Sequence, residues 1–399
     1  MAPVDLDGDP VSVTVANVPD GLDVEVAGDS KSLTVHPLYQ VSGAQTISVR
    51  LDDSHGGVTE VALDLTVSPI GWQWSQRLTD PAPTTREHGT FVVDAEHDLA
   101  YLIGGSGYAP QNTPATDALW TVDLKTRAWS VLTPTGDLPP PAASRRAANV
   151  PEQKVAWLFG GYDSDSSDTN DLYRFDYGSA PPRFTKVAQT NAPMGRELHG
   201  FGYDPQSDSF VTFGGYSYDG GVLGDTWTMK LAGDTATWSE LTAPGPAPRY
   251  GFDYAVDPAQ GTFYVWSGAQ DPVSASDPIN AAQDTWALDL RAAPPSWTRV
   301  LDGTEPGAPK GRRNGAFVFD PSGPRLVIFG GTADGKKTVP DLTLLDLRPG
   351  KLGWTTTKLA NQPPIRSSDF GFYDATRQQI VMGFGNNPAP YRDLFALGY

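Results

Sequence analysis

Two short strings carry the chain's best acid–base chemistry, Arg86-Glu87-His88-Gly89 and Arg196-Glu197-Leu198-His199-Gly200. Histidine titrates near neutrality and a neighbouring carboxylate favours its charged form, so Glu87, His88, Glu197 and His199 are the candidates for proton transfer. With 5 His in all, a multi-histidine metal centre is not expected, and His36, His55 and His97 read as strand or turn residues. The run from Asp163 to Asp171 sets side-chain oxygens at every second or third position, as calcium loops do. Asp163, Asp165 and Asp168 are therefore candidate calcium ligands. The run lacks the glycine and distal glutamate of an EF-hand, and a solvated acidic hairpin is the competing reading.

Composition removes several classes. The formal charge is −18, which opposes binding to nucleic acid or an anionic membrane through bulk electrostatics. With 0 Cys, disulfides, thiolate metal sites and cysteine nucleophiles are out, including the Cys–Tyr cofactor of copper radical oxidases. No run of about 18 apolar residues occurs, and the acidic stretch Met1–Pro10 is not a signal peptide. Abundant Gly and Pro (42 and 36), with 11 Trp and 15 Tyr, suit many short strands joined by tight turns, and the expected class is all-β.

Two regions must position these groups. Residues 1–70 alternate apolar and polar positions, as in Val11-Val13-Val15 and Val61-Leu63-Leu65-Val67, which predicts five strands of a small sandwich. After the linker Ser68-Pro69-Ile70-Gly71, residues 71–399 repeat one order of features six times. An arginine (Arg86, Arg146, Arg196, Arg249, Arg313, Arg366) precedes an apolar strand and a turn. A second strand then ends in a glycine pair, as in Phe159-Gly160-Gly161, and an aspartate opens a third. Trp129, Phe184, Trp238, Trp297 or Trp354 comes last in the first five. Ser267 and Phe384 interrupt two of the pairs, read as Ser267-Gly268 and Gly383-Phe384.

This order resembles the kelch motif and implies a six-bladed β-propeller. The sixth unit ends at Tyr399 without its last strand, and the segment around Trp74 is expected to supply it. The first region, with Asp5, Asp7 and Asp9 and with Asp52-Asp53, resembles bacterial cadherin-like and immunoglobulin-like modules. That resemblance implies calcium at those carboxylates, against a plain acidic turn, and seven strands, so one or two are missing here.

Arginines and glycine pairs fall on one face of a propeller, where the longer loops also emerge. Arg86, Arg145, Arg146, Arg196, Arg249, Arg312, Arg313 and Arg366 are the basic candidates for a ligand there, with Arg145 and Arg312 counted as extra to the repeat. In the competing reading each repeat arginine pairs with the aspartate of the third strand. Tyr108, Tyr162, Tyr216, Tyr218 and Tyr250 could anchor a peptide or stack on a sugar. The leading expectation is a secreted, periplasmic or cell-surface recognition module that binds a protein or glycan on this face, without catalysis and with no cofactor other than calcium. One alternative is a kelch-type sugar isomerase or mutarotase using Arg with Glu or His. The other is a structural part of a surface assembly.

Overall fold

The computed structural model describes residues 11–19, 22–28, 32–37, 42–68, 71–107, 119–163, 167–233, 235–270, 279–333, 337–359, 362–389 and 391–398. The side chains of Asp23, His36, Pro37, Gln73 and Trp74 are outside the description, as are Asp5, Asp7, Asp9, Tyr108 and Asp165 entirely. Among the described residues there is no α-helix, and the one helical turn is the 3-10 turn Pro151–Gln153. The chain divides into two units, Met1–Gln73 with Leu397–Tyr399, and Trp74–Ala396.

The first unit holds β1 (Ser12–Ala16), β2 (Leu22–Val26), β3 (Leu33–Pro37), β4 (Gly43–Asp52) and β5 (Val58–Val67). They form a sheet of order β1-β4-β5 and a β2-β3 hairpin. Alternation turns Val15, Val24, Val35 and Leu65 onto a small cluster around Leu22, Ile47 and Val67.

The second unit is built from six antiparallel sheets. Their inner strands are Thr90–Asp94, Arg146–Val150, Gly200–Asp204, Asp253–Asp257, Ala316–Asp320 and Phe370–Asp374. Each inner strand packs on the next, and the sixth packs on the first, which closes the ring. In sheets one to five the fourth strand follows the third in sequence, whereas in the sixth it is β6 (Gly71–Arg77). Sheets two and three each gain a short parallel edge strand, Thr135–Gly136 and Ala188–Thr190.

Large planar side chains fill the wedges between sheets. The outer-strand Trp238 meets Phe159 of the preceding sheet at 4.8 Å between ring centroids, Trp297 meets Phe213 at 5.2 Å, and Trp354 meets Trp266 at 4.9 Å. At the seam, Trp129 of the first sheet meets Phe384 of the sixth at 6.2 Å. Each contact lies between two sheets, so an aromatic ring buried here holds neighbours together as well as removing apolar area from water. Trp238 is almost fully buried. Trp238→Ala is therefore expected to cost about 3–5 kcal/mol by chemical denaturation, with cooperative unfolding retained.

Candidate functional site

The repeat arginines build the site's floor, and the structure corrects their register. Arg86, Arg196, Arg249, Arg312 and Arg366 are all buried. Each donates from Nη1 to the backbone carbonyl eighteen residues on, at Gly104, Gly214, Ser267, Gly330 and Phe384, over 2.9–3.1 Å. Each also donates from Nε to the carbonyl two residues before it. The repeat arginine of the fifth sheet is thus Arg312, not Arg313.

In the second sheet the equivalent position is Ala142, and Arg145 fills the same slot from three residues further on. Its Nε donates to Gly160 O at 3.1 Å and its Nη1 to Pro140 O at 3.0 Å. Arg146 was therefore the wrong assignment for this repeat. Likewise the sixth pair is Phe384-Gly385, not Gly383-Phe384. Phe384 and Ser267 adopt the positive φ (+59° and +62°) of the glycine they replace. The second member must remain small, since a Cβ on Gly215 would sit 2.6 Å from Glu197 O.

Three of the third-strand aspartates pair with their arginines as the structural alternative expected, whereas Asp171 pairs with Lys186 rather than with Arg145. Arg196 grips Asp225 at 2.8 and 2.7 Å, Arg249 grips Asp284 at 2.8 and 3.4 Å, and Arg366 grips Asp393 at 2.5 and 3.2 Å. Although burial raises the Asp225 and Asp284 carboxyls, hydrogen bonds and charge from their arginines outweigh it and hold both below the usual range. Aromatic faces complete other slots, with the Arg366 guanidinium 4.2 Å from the Tyr391 ring and Arg312 5.5 Å from Trp266. These guanidinium groups are bound within the fold and do not form a ligand-facing ring.

Just inside lies a belt that sequence reading missed. His88, Ser144, Leu198, Gly251, Asn314 and Ser368 all take left-handed backbone conformations, with φ from +51° to +60°. Their amides point around the axis rather than along a strand. Ser144 donates to His88 O at 2.9 Å, His88 to Ser368 O at 3.2 Å, Ser368 to Asn314 O at 2.7 Å, Asn314 to Gly251 O at 2.8 Å, and Gly251 to Leu198 O at 2.9 Å. The belt links all six blades through main-chain atoms. Its only sequence trace is a residue two places after each slot position, whose type varies from Gly to Leu.

Above the belt sit the side chains one residue after each slot position, Glu87, Ala143, Glu197, Tyr250, Arg313 and Ser367. Short ladders to the loop after the second strand hold them, Arg86–Glu87 on Ser106–Gly107 and Glu197 on Tyr216 for example. Glu87 accepts from Asn386 Nδ2, and burial raises its carboxyl. Burial, helped by the Asp168 charge, pushes Glu197 up to about 7. Arg313 donates to the Tyr250 hydroxyl at 2.7 Å, and its guanidinium carbon stands 5.5 Å from that ring. Tyr162 and Tyr216 are half-buried, while Tyr218 is exposed.

Below the belt is a cavity of about 360 Å³ lined by Phe91, Tyr254, Phe317, Phe319, Tyr373 and Arg146, among others. Arg146 crosses from the second sheet, donating from Nε to His199 O at 3.2 Å and lying 5.9 Å from the Tyr254 ring. His88 lines the cavity, and burial with the nearby Arg146 and Arg313 charges pushes it down to about 3. His199 is fully buried against Phe159, and burial holds it well below its usual value. Burial thus favours the neutral form of both imidazoles, against the raised pKa that the neighbouring glutamates suggested in the sequence. Beside the cavity, burial pushes Asp253 up to about 8, and its carboxyl has no hydrogen-bond partner among the described residues.

The remaining calcium candidates are engaged locally. Asp53 accepts amides of His55 and Gly57, Asp52 pairs with Arg50, Asp163 accepts from Ser167, and Asp168 accepts from the Tyr218 amide. Among the described residues no three His, Asp or Glu converge on a metal-sized site.

Two variant pairs test this anatomy. Arg145→Ala is expected to cost about 3 kcal/mol in chemical denaturation, whereas Arg146→Ala next to it costs less than about 1 kcal/mol. For Asp253 the folded state keeps its proton after the unfolded chain has lost it, so its contribution to stability falls as pH rises from 3.8 to about 8. Asp253→Asn should therefore match the wild type near pH 4 and exceed it by about 2 kcal/mol at pH 8.5. Melting curves across that range check the divergence.

The comparisons agree with this architecture. Residues 88–300 match the family described as the KLHDC2/KLHL20/DRC7 Kelch-repeats domain. Adagio protein 3 of Arabidopsis thaliana is 26% identical over 279 residues, 69% of this chain and 43% of the relative. The leucine-zipper-like transcriptional regulator 1 homolog of Drosophila melanogaster is 26% identical over 300 residues, 71% of this chain and 28% of the relative. The chain thus spans less than half the length of these relatives. Among solved structures, one titled "Structure of YjhT" aligns with a TM-score of 0.56 and 15% identity, covering 80% of this chain and 94% of that one. With its ordered slots and closed ring of sheets, the chain belongs to the kelch-repeat family.

Proposed function

We propose that the protein is a recognition module that binds a protein partner on the propeller face where the inner strands begin. The observation that carries this reading is the separation between buried and outward groups on that face. The slot arginines are consumed in holding loops, while Glu87, Glu197, Tyr216 and Arg313 remain partly exposed above the belt and Tyr218 is largely exposed. Rigid loops with mixed aromatic and charged tips suit protein recognition, because little ordering entropy remains to be lost on binding. Kelch-repeat membership supports the same reading. An acidic partner gripping a ring of arginines is not part of the proposal, since those guanidinium groups are buried.

A sugar isomerase remains the second reading, and one observation favours it: the Glu197 carboxyl is held near 7, where it could exchange a proton, with the Arg146 charge nearby. Polarimetry of acidic sugars separates the two readings. The recognition proposal expects no turnover, whereas turnover lost in Glu197→Gln would favour the enzyme.

The absence of cysteine makes the face assignment testable by single-site labelling. Ala389→Cys on the loop face and Ala259→Cys on an opposite turn would each carry a benzophenone for cross-linking in an extract of the source cells. The expected result is a discrete protein adduct from Ala389→Cys and none from Ala259→Cys. Adducts from Ala259→Cys alone, or adducts to glycan alone, would contradict the proposal.

A further inference from the structure

We infer that the hairpin tip of the third sheet is the anchor point of this face and that it takes a lysine- or arginine-bearing segment of a partner protein. The inference rests on the recognition reading above and adds the location and the chemistry of the partner.

The second and third strands of this sheet, Ser209–Ser217 and Gly221–Ala232, run on past the blade, pairing Gly215 with Leu223, Tyr216 with Val222 and Ser217 with Gly221. Their tip carries Tyr218, 77% exposed and the most exposed large apolar side chain among the described residues. At the same turn, two residues on, Gly220 packs against Met194, 49% exposed, so closely that a Cβ there would stand 2.6 Å from its sulfur. An exposed aromatic beside an exposed thioether is a costly arrangement in water and a common binding anchor.

The support under this pair is rigid. Tyr216 and Val222 pack on Leu198 and Tyr250, so the hairpin leans on the belt and on the fourth sheet. The Met194 carbonyl accepts from Arg196 Nε at 3.1 Å, and Arg196 is locked to Asp225. Asp168 receives the Tyr218 amide, which fixes the turn.

Charge then selects the partner. Asp219 follows Tyr218 in the turn and is exposed, Asp168 holds the Tyr218 amide, and no Lys or Arg side chain pairs with either among the described residues. A lysine or arginine would lay its methylene stem on Tyr218 and Met194 and bring its charged end to these carboxylates. The net charge of −18 would draw such a segment in from a distance.

The test is selection from a phage-displayed library of random peptides about twelve residues long against the full chain, followed by affinity measurement. Enriched peptides should carry Lys or Arg beside a large apolar residue and lose affinity as salt is added. Tyr218→Ala and Asp219→Lys should each weaken them about tenfold without lowering the melting temperature. Enrichment of acidic or uncharged peptides, or binding unchanged in Tyr218→Ala, would overturn the inference. If peptides ignore Tyr218→Ala but are blocked by a bulky label on Ala389→Cys, the loop-face reading stands and the hairpin assignment falls. If neither change affects binding, or no peptide is enriched, both fall.

Discussion

The structure depends on six guanidinium groups buried where the chain enters each blade. A guanidinium has five donors in a fixed fork, so one side chain can hold three strands' worth of backbone and carboxylate at once. In each slot it fastens the loop before the inner strand to the carbonyl that ends the second strand, and in three slots it also grips the aspartate that opens the third. Taking such a cation out of water is expensive, and it is tolerated because several acceptors converge on it. Arg145 shows that the constraint is the position of the charge rather than of the residue, since it reaches the slot from a backbone site three residues away.

With the loops fastened, the main-chain belt can form. Left-handed residues at equivalent places turn their amides toward the neighbouring blade, so five of the six blade junctions are joined by a main-chain hydrogen bond, the second-to-third junction excepted. The residues above the belt differ in type from blade to blade, while those below it enclose an aromatic cavity crossed by Arg146. This division explains how one repeat can specify both a fold and a surface. The repeated residues are spent on the scaffold, and recognition falls to the unrepeated ones.

Much of the fold was legible for the same reason. Ordered recurrence of Arg, the glycine pair, Asp and Trp reports a geometry imposed six times, and the all-β kelch propeller follows from it. Register was less legible wherever two arginines stand side by side. Arg145-Arg146 and Arg312-Arg313 offer the same charge to a reader of types, but successive side chains on an extended chain point opposite ways, so one is buried and its neighbour is not. The histidines misled because His88 and His199 sit beside glutamates in sequence, whereas in space they face arginines and apolar walls. Asp253 left no trace at all, since its burial follows from tertiary packing.

The arginine face presents few accessible arginines. Labelling the native protein with phenylglyoxal and reading modified sites by peptide fragmentation tests this directly, because it resolves adjacent residues. Modification is expected at Arg313 ahead of Arg312, with Arg86, Arg145, Arg196, Arg249 and Arg366 protected until the protein unfolds. Rapid labelling of these buried residues in the native state would contradict it.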